Sequence, residues 1–209
     1  MRRDARVLPA PRAIPKGIFC LEGDWWGKLH KGSSVEPILE LLHQWDPYYV
    51  PYVRRDVATR SEFEYYVSRW AQKSMAAYPI LYLAFHGESS ELTIGDRRVA
   101  QNRVSVAELG DMLEGRCHGR MIYFGSCDTL DLHGNSINAF LRKTGATAVC
   151  GYRRDVEWLE ATAFELVVMS AMQIHSMTRQ GAAAMRRRID HRAGVLARAL
   201  RFHMVIRKT

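Results

Sequence analysis

Two residues in this chain combine a reactive side chain with a local setting that could use it. They are His86, in the run PILYLAFHG at 79–87, and Cys127, in the run RMIYFGSCD at 120–128. Each run is short and apolar, rich in Ile, Leu, Tyr and Phe, and ends in a small residue beside the reactive one. That pattern predicts buried strands of a parallel sheet. In such sheets ligands and chemistry gather beyond the carboxyl ends of the strands. A histidine and a thiol brought to one rim by successive strands are the parts of a cysteine nucleophile and its acid/base partner. Taken singly, a cysteine is more often a core thiol and a histidine structural. The pairing at two strand ends is what points to chemistry.

The elements that must position this pair alternate regularly along the chain. A first strand at 17–21 (GIFCL) ends in Glu22-Gly23-Asp24-Trp25-Trp26, two acids and two indoles that form either a wall of the cleft or a cap on the core. Ser33-Ser34-Val35-Glu36 predicts a capping box opening a helix over 35–45, with a second strand at 48–53. Thr59-Arg60-Ser61-Glu62 caps a helix running to about Met75, and Tyr78-Pro79 breaks it into the His86 strand. Gly95-Asp96 within 91–99 predicts a small hairpin beside the cleft. Ser105-Val106-Ala107-Glu108 opens a helix that stops at Gly115, before the Cys127 strand. A polar loop at 128–134, a helix at 135–143 closed by Gly145 and a strand at 146–150 follow, and 156–180, free of Gly and Pro, reads as strongly helical. From Leu200 to Arg207, apolar Leu200, Phe202, Met204 and Ile206 alternate with Arg201, His203 and Arg207, the pattern of an edge strand. Strand–helix alternation of this kind predicts an α/β fold with a parallel sheet.

A hydrophobic strand ending in His-Gly, then a helix, then a hydrophobic strand ending in a small residue and Cys resembles the caspase-like (clan CD) cysteine peptidases. These include caspases, metacaspases, gingipains, legumain and bacterial CHAT-type enzymes. His86 and Cys127 match the catalytic dyad in kind and order, 41 positions apart. The pentapeptide Gly125-Ser126-Cys127-Asp128-Thr129 departs from the Gln-Ala-Cys-X-Gly of caspases proper, whose His lies about 50 residues upstream, and suits a distant bacterial relative. The likeness covers roughly residues 17–207 and implies a three-layer fold, a mostly parallel six-stranded sheet with helices on both faces. It also implies a cysteine endopeptidase with His86 as acid/base, Cys127 as nucleophile and the backbone N–H groups of Gly87 and Cys127 as oxyanion hole.

By the same carry-over the specificity pocket draws on Glu22, Asp24, Ser126, Asp128, Arg153 and Asp155. The acids favour a basic side chain at P1, the residue before the cleaved bond, and Arg153 an acidic one; the balance leans to basic. Asp155 and Glu157 equally suit the N-terminus of the following helix, and that is the reading preferred for both. The resemblance requires no cofactor. Its implied partners are a protein or peptide substrate, a nucleotide or protein activator, and a second copy meeting through Leu200 to Arg207, in a cell-death or anti-phage defence effector. The alternative is a catalytically silent caspase-like module that binds a nucleotide signal or a partner protein.

Composition fits one domain at 17–209 behind a flexible Pro/Arg-rich arm at 1–16. The 209 residues are 47% hydrophobic, enough for a core of their own. No apolar stretch approaches the ~20 residues of a membrane span, and the basic N-terminus lacks the apolar region of a secretory signal. No membrane partner and a cytoplasmic location are therefore expected. Cys20, Cys117, Cys127 and Cys150 show no paired spacing, so they read as free thiols of a reducing compartment, and no zinc-ligand spacing occurs. The formal net charge of +8 gathers around Arg186–Arg188 and later arginines, which reads as a solvated helix face. Nucleic acid is not an expected partner, since no aromatic-interleaved RNA motif accompanies the charge. Neither GxGxxG nor GxxxxGK[ST] is present, which removes the phosphate loops of dinucleotide and NTP enzymes.

Overall fold

A computed structural model describes residues 14–25, 32–88, 90–125 and 134–208. Its spine is a six-stranded sheet built from β1 (Ile18–Glu22), β2 (Tyr52–Asp56), β3 (Ile80–Ala84), β7 (Met121–Phe124), β8 (Ala148–Tyr152) and β9 (Phe202–Ile206), in the spatial order β2-β1-β3-β7-β8-β9. All neighbours run parallel except β9, which is antiparallel to β8. Every residue of β1, β3, β7 and β8 is buried, which is why these strands are continuous apolar runs rather than alternating ones. A separate antiparallel sheet, β4 (His86–Glu88), β5 (Glu91–Thr93) and β6 (Arg103–Ser105), stands just beyond the end of β3.

Helices cover both faces. On one, α1 (Glu36–His43), α5 (Trp158–Ile174) and α6 (Arg179–Ala199) share a core with Ile18, Tyr82, Tyr123 and Tyr152. On the other, α2 (Arg60–Trp70), α3 (Val106–Met112) and α4 (Gly134–Thr144) close over Leu83, Phe124 and Val149. The expected three-layer α/β architecture with a mostly parallel six-stranded sheet is therefore present. Among the described residues no helix is long and apolar enough to cross a membrane. The basic arm expected at 1–16 lies, up to residue 13, outside the described residues. Lys16 is engaged, its backbone N–H donating to Gln173 Oε1 and its Nζ to the Gln173 carbonyl.

The capping boxes at Thr59 and Ser105 form as expected, each hydroxyl accepting the N–H three residues on while Glu62 or Glu108 accepts the cap's own N–H. The box expected at Ser33 does not. Helix α1 has Val35 at its cap with no side-chain cap of its own, and the Val35 N–H donates instead to Glu22 at the end of β1, 2.8 Å away. Strand β2 begins at Tyr52 rather than 48, because the Tyr48 and Tyr49 N–H groups turn back onto the Trp45 carbonyl. Helix α2 stops at Trp70, short of Met75. The Arg120 guanidinium, stacked 4.8 Å from the Trp70 ring, takes the Trp70 and Gln72 carbonyls and so caps the helix from across the fold. The hairpin partner of β5 is Arg103–Ser105, with Gly95 in the connection at φ +78.

The stretch 156–180 is not one helix. His175 is extended, and Thr178 recaps the chain by accepting the Gly181 N–H. A Cβ at position 181 would lie 1.9 Å from the Ser176 carbonyl oxygen, so only glycine lets the two helices meet this closely.

Candidate functional site

β3 and β7 are register neighbours, with Leu83 opposite Phe124, and the Gly125 N–H extends the ladder by donating to the Leu83 carbonyl at 2.9 Å. His86 follows Leu83 by three residues and Cys127 follows Phe124 by three. Ser126, Cys127 and Asp128 themselves lie outside the described residues, as does Trp26. What the structure shows is His86, its supports and the two hollows beside it.

His86 opens β4, half-buried, with its Nε2 2.5 Å from the carbonyl oxygen of Trp25. A carbonyl only accepts, so Nε2 carries the hydrogen and Nδ1 is the nitrogen left to take a proton. Burial lowers the His86 pKa from its usual range and Arg97 adds to this, while the Trp25 carbonyl and Asp24 work against it. The ring is therefore neutral at pH 7. Trp25 is itself fixed, its indole donating to Glu22 Oε1 at 2.8 Å and standing edge-on to the His86 ring at 5.4 Å. Gly87 sits at the centre of β4, opposite Leu92.

Glu22 is 1% exposed. Its carboxylate accepts from the Trp25 indole, Ser34 Oγ, the Val35 N–H and Arg54 Nε, the last at 2.6 Å. This changes its expected role: its oxygens are taken by donors of the fold, so it arranges the rim rather than presenting itself to a substrate. Asp24 is exposed and lines the larger hollow. Arg153 and Asp155 line neither hollow; burial lowers the pKa of His203 on β9 from its usual range, and the Arg153 charge lowers it further. Glu157 caps α5 by accepting the Glu160 N–H at 2.8 Å, as the helix reading anticipates.

One hollow, about 1160 Å³, opens between the end of β1, β2 and the β5–β6 connection. The other, about 140 Å³, is flanked by Trp25, Val35, Val156, Trp158 and Ala161 and reaches Tyr82, Gly125 and Glu165. His86 and Trp25 line both, so the imidazole stands on the partition. Glu165 of α5 is a residue the sequence reading passes over. It is 3% exposed, and burial pushes its carboxyl up to about 8 even though tyrosine hydrogen bonds oppose the shift. The Tyr82 hydroxyl donates to its Oε2 at 2.5 Å, and the Tyr152 hydroxyl lies 3.4 Å from Oε1. A signal was available: from Ala161 to Ile174 Glu165 is the one charged residue in an otherwise apolar and small-polar helix.

Cys20, Cys117 and Cys150 are free and buried. Burial raises the Cys20 and Cys150 thiols well above their usual range and Cys117 to about 12. They are inert core thiols. Among the described residues no three potential metal ligands converge.

Comparison with known sequences gives one family, described as a family of unknown function (DUF6642), whose model matches residues 15–204. No curated protein matches the chain.

Proposed function

The chain belongs to the DUF6642 family, and from the geometry of its rim we propose that it is a caspase-like cysteine endopeptidase, with Cys127 as nucleophile and His86 as acid/base. The observation that carries this reading is the Trp25 carbonyl on His86 Nε2, which selects the tautomer whose Nδ1 is basic, at the end of the strand paired with the one leading to Cys127. Two peptide units separate Cys127 from Gly125, a reach of about 7 Å, short enough for the thiol to act at this rim.

The chemistry follows from these groups. Nδ1 of a neutral His86 takes the thiol proton, and the thiolate attacks the scissile carbonyl. The imidazolium then protonates the departing amine, and water hydrolyses the acyl-enzyme by the reverse proton path. The N–H groups of Gly87 and Cys127 would receive the oxyanion. A hollow of about 1160 Å³ exceeds the ordinary small-ligand pocket and suits an extended peptide. The same resemblance carries the wider reading of a cytoplasmic effector, switched on by a nucleotide or protein signal, in bacterial cell death or anti-phage defence.

The buried state of the other three cysteines makes the test sharp, because rapid alkylation of the native protein by iodoacetamide can report only Cys127. Wild type is expected to label there and to cleave a pooled fluorogenic peptide library. Cys127→Ala and His86→Ala should each lower cleavage by at least about 10³-fold. An unreactive Cys127 with no cleavage, across a panel of nucleotides and added cell proteins, leaves the silent binding module as the reading.

A further inference from the structure

Resting on the peptidase reading, we propose that Glu165 selects a lysine or arginine side chain at P1, receiving its cationic end at the floor of the pocket beside His86.

The pocket has the size and the walls for such a side chain. Its volume of about 140 Å³ is close to the ~150 Å³ known to accept a benzene-sized group. Trp25, Val156, Trp158 and Ala161 offer an apolar lining for a methylene stem, and two of them are indoles, the ring type that attracts cations most strongly. The polar groups of the lining are His86, Thr162, Tyr82 and Glu165, of which Glu165 alone is a carboxyl. Glu165 Oε2 is held by the Tyr82 hydroxyl at 2.5 Å, whereas the Tyr152 hydroxyl approaches Oε1 at a long 3.4 Å, and Tyr123 adds a further hydrogen-bonding hydroxyl to the carboxyl.

Oε1 is also the oxygen turned to the rim. A Cβ at position 125 would lie 3.2 Å from it and 2.5 Å from Tyr82 Cε2. Glycine at 125, two residues before the nucleophile, therefore lets the carboxyl come up beneath the strand end. With Cys127 as nucleophile, this leaves a P1 side chain a short path to the floor.

Charge decides among the guests that fit by volume. Among the described residues, the titratable groups acting on Glu165 include Tyr82 from β3, Tyr123 from β7, Tyr152 from β8 and Glu22 from β1, with the Cys20 and Cys150 thiols beside them, and no cation figures among these. His86, on the pocket wall, is neutral at pH 7. A lysine or arginine brings the missing positive charge, while an acidic guest meets a carboxyl and an apolar guest leaves Oε1 unused. With the carboxyl held at about 8, the empty pocket is mostly protonated at pH 7. Cation binding then expels that proton to solvent through the pocket mouth, so affinity for a permanent cation should rise about tenfold between pH 7 and pH 9.

The experiment uses the full chain with two readouts. Peptides differing only at P1 are assayed for kcat/KM, and benzamidine binding is measured against neutral benzamide, each for wild type, Glu165→Gln and Trp158→Ala. P1 Arg and Lys are expected to exceed P1 Gln and Leu by roughly 10- to 100-fold, and benzamidine alone should bind. Glu165→Gln should erase both preferences. Trp158→Ala, at an exposed rim position, should weaken benzamidine severalfold without abolishing the preference. Cleavage with no basic preference, or one that survives in Glu165→Gln, overturns the role of Glu165 and keeps the peptidase. If Cys127 neither labels nor cleaves, the peptidase reading falls and takes P1 selection with it. Glu165-dependent benzamidine binding would then still establish a cation pocket, and its absence would remove that too.

Discussion

Burial governs what Glu165 does to the fold as well as to a guest. Its carboxyl sits at about 8 in the native state, against about 4.3 in an unfolded chain. Between those values the native state holds a proton the unfolded state has lost, so stability falls as pH rises through the interval and levels off above the native value. From pH 6 to pH 9 this one group should remove about 3 kcal/mol. Urea unfolding at the two pH values should show that loss in wild type and its absence in Glu165→Gln; equal slopes would mean the carboxyl is not held protonated. His86 and Glu165 also mark what was legible at this scale. His86 ends its run beside a glycine, a pattern visible in the letters. Glu165 becomes meaningful only when Tyr82, Tyr152 and Gly125, from three different strands or strand ends, close around it. Glu22 was visible as an acid at a strand end, but its commitment to Arg54, Ser34, Val35 and Trp25 was not.

Helix starts divide by whether their caps are local. Thr59 and Ser105 carry their own boxes within three residues, so the sequence shows them and their loss is cheap: Thr59→Ala should cost about 1 kcal/mol. Helix α1 is capped from β1 instead. Glu22→Ala would strip the acceptor from the Val35 N–H, the Trp25 indole and Arg54 together, leaving buried donors unpaired, and should cost about 3 kcal/mol or more. Chemical denaturation of the two variants side by side checks the ordering, and a Glu22→Ala cost no larger than that of Thr59→Ala would deny Glu22 its organising role. Since Trp25 holds His86, the same substitution should also slow peptide cleavage. The break between α5 and α6 was hidden for the opposite reason. Without glycine or proline at His175, the sequence offers no punctuation. The turn is set by Thr178 and by the close approach that Gly181 allows, signals that read as helix until the partner backbone is present.

At the scale of the molecule, alternation of apolar runs and capped helices was enough to anticipate a parallel sheet, but not the order of its strands, which depends on where each crossover lands. The order matters because it leaves two edges. On β2 the edge carries Arg54, Arg55 and Asp56, charges of the kind that discourage strand addition. On β9 the sequence is FHMVI, with no full charge between Arg201 and Arg207. Its burial is two-sided: Phe202, Met204 and Ile206 pack with the α1/α5/α6 core, while Val205 packs with the other, so only the backbone edge remains to be satisfied. The Arg207 N–H donates to Thr147 and the Arg153 N–H to Arg201 across the β8–β9 ladder. Antiparallel alternation then turns the N–H groups of Phe202, Met204 and Ile206 outward. A second copy docking β9 against β9 about a twofold axis would pair these groups and continue the sheet through the dimer. The predicted result is a dimer by light scattering at micromolar concentration. Ile206→Pro, which deletes one outward donor at an edge position that tolerates proline, should shift it towards monomer. A wild-type monomer at high concentration would show that Arg201 and Arg207 instead keep the edge closed to other copies.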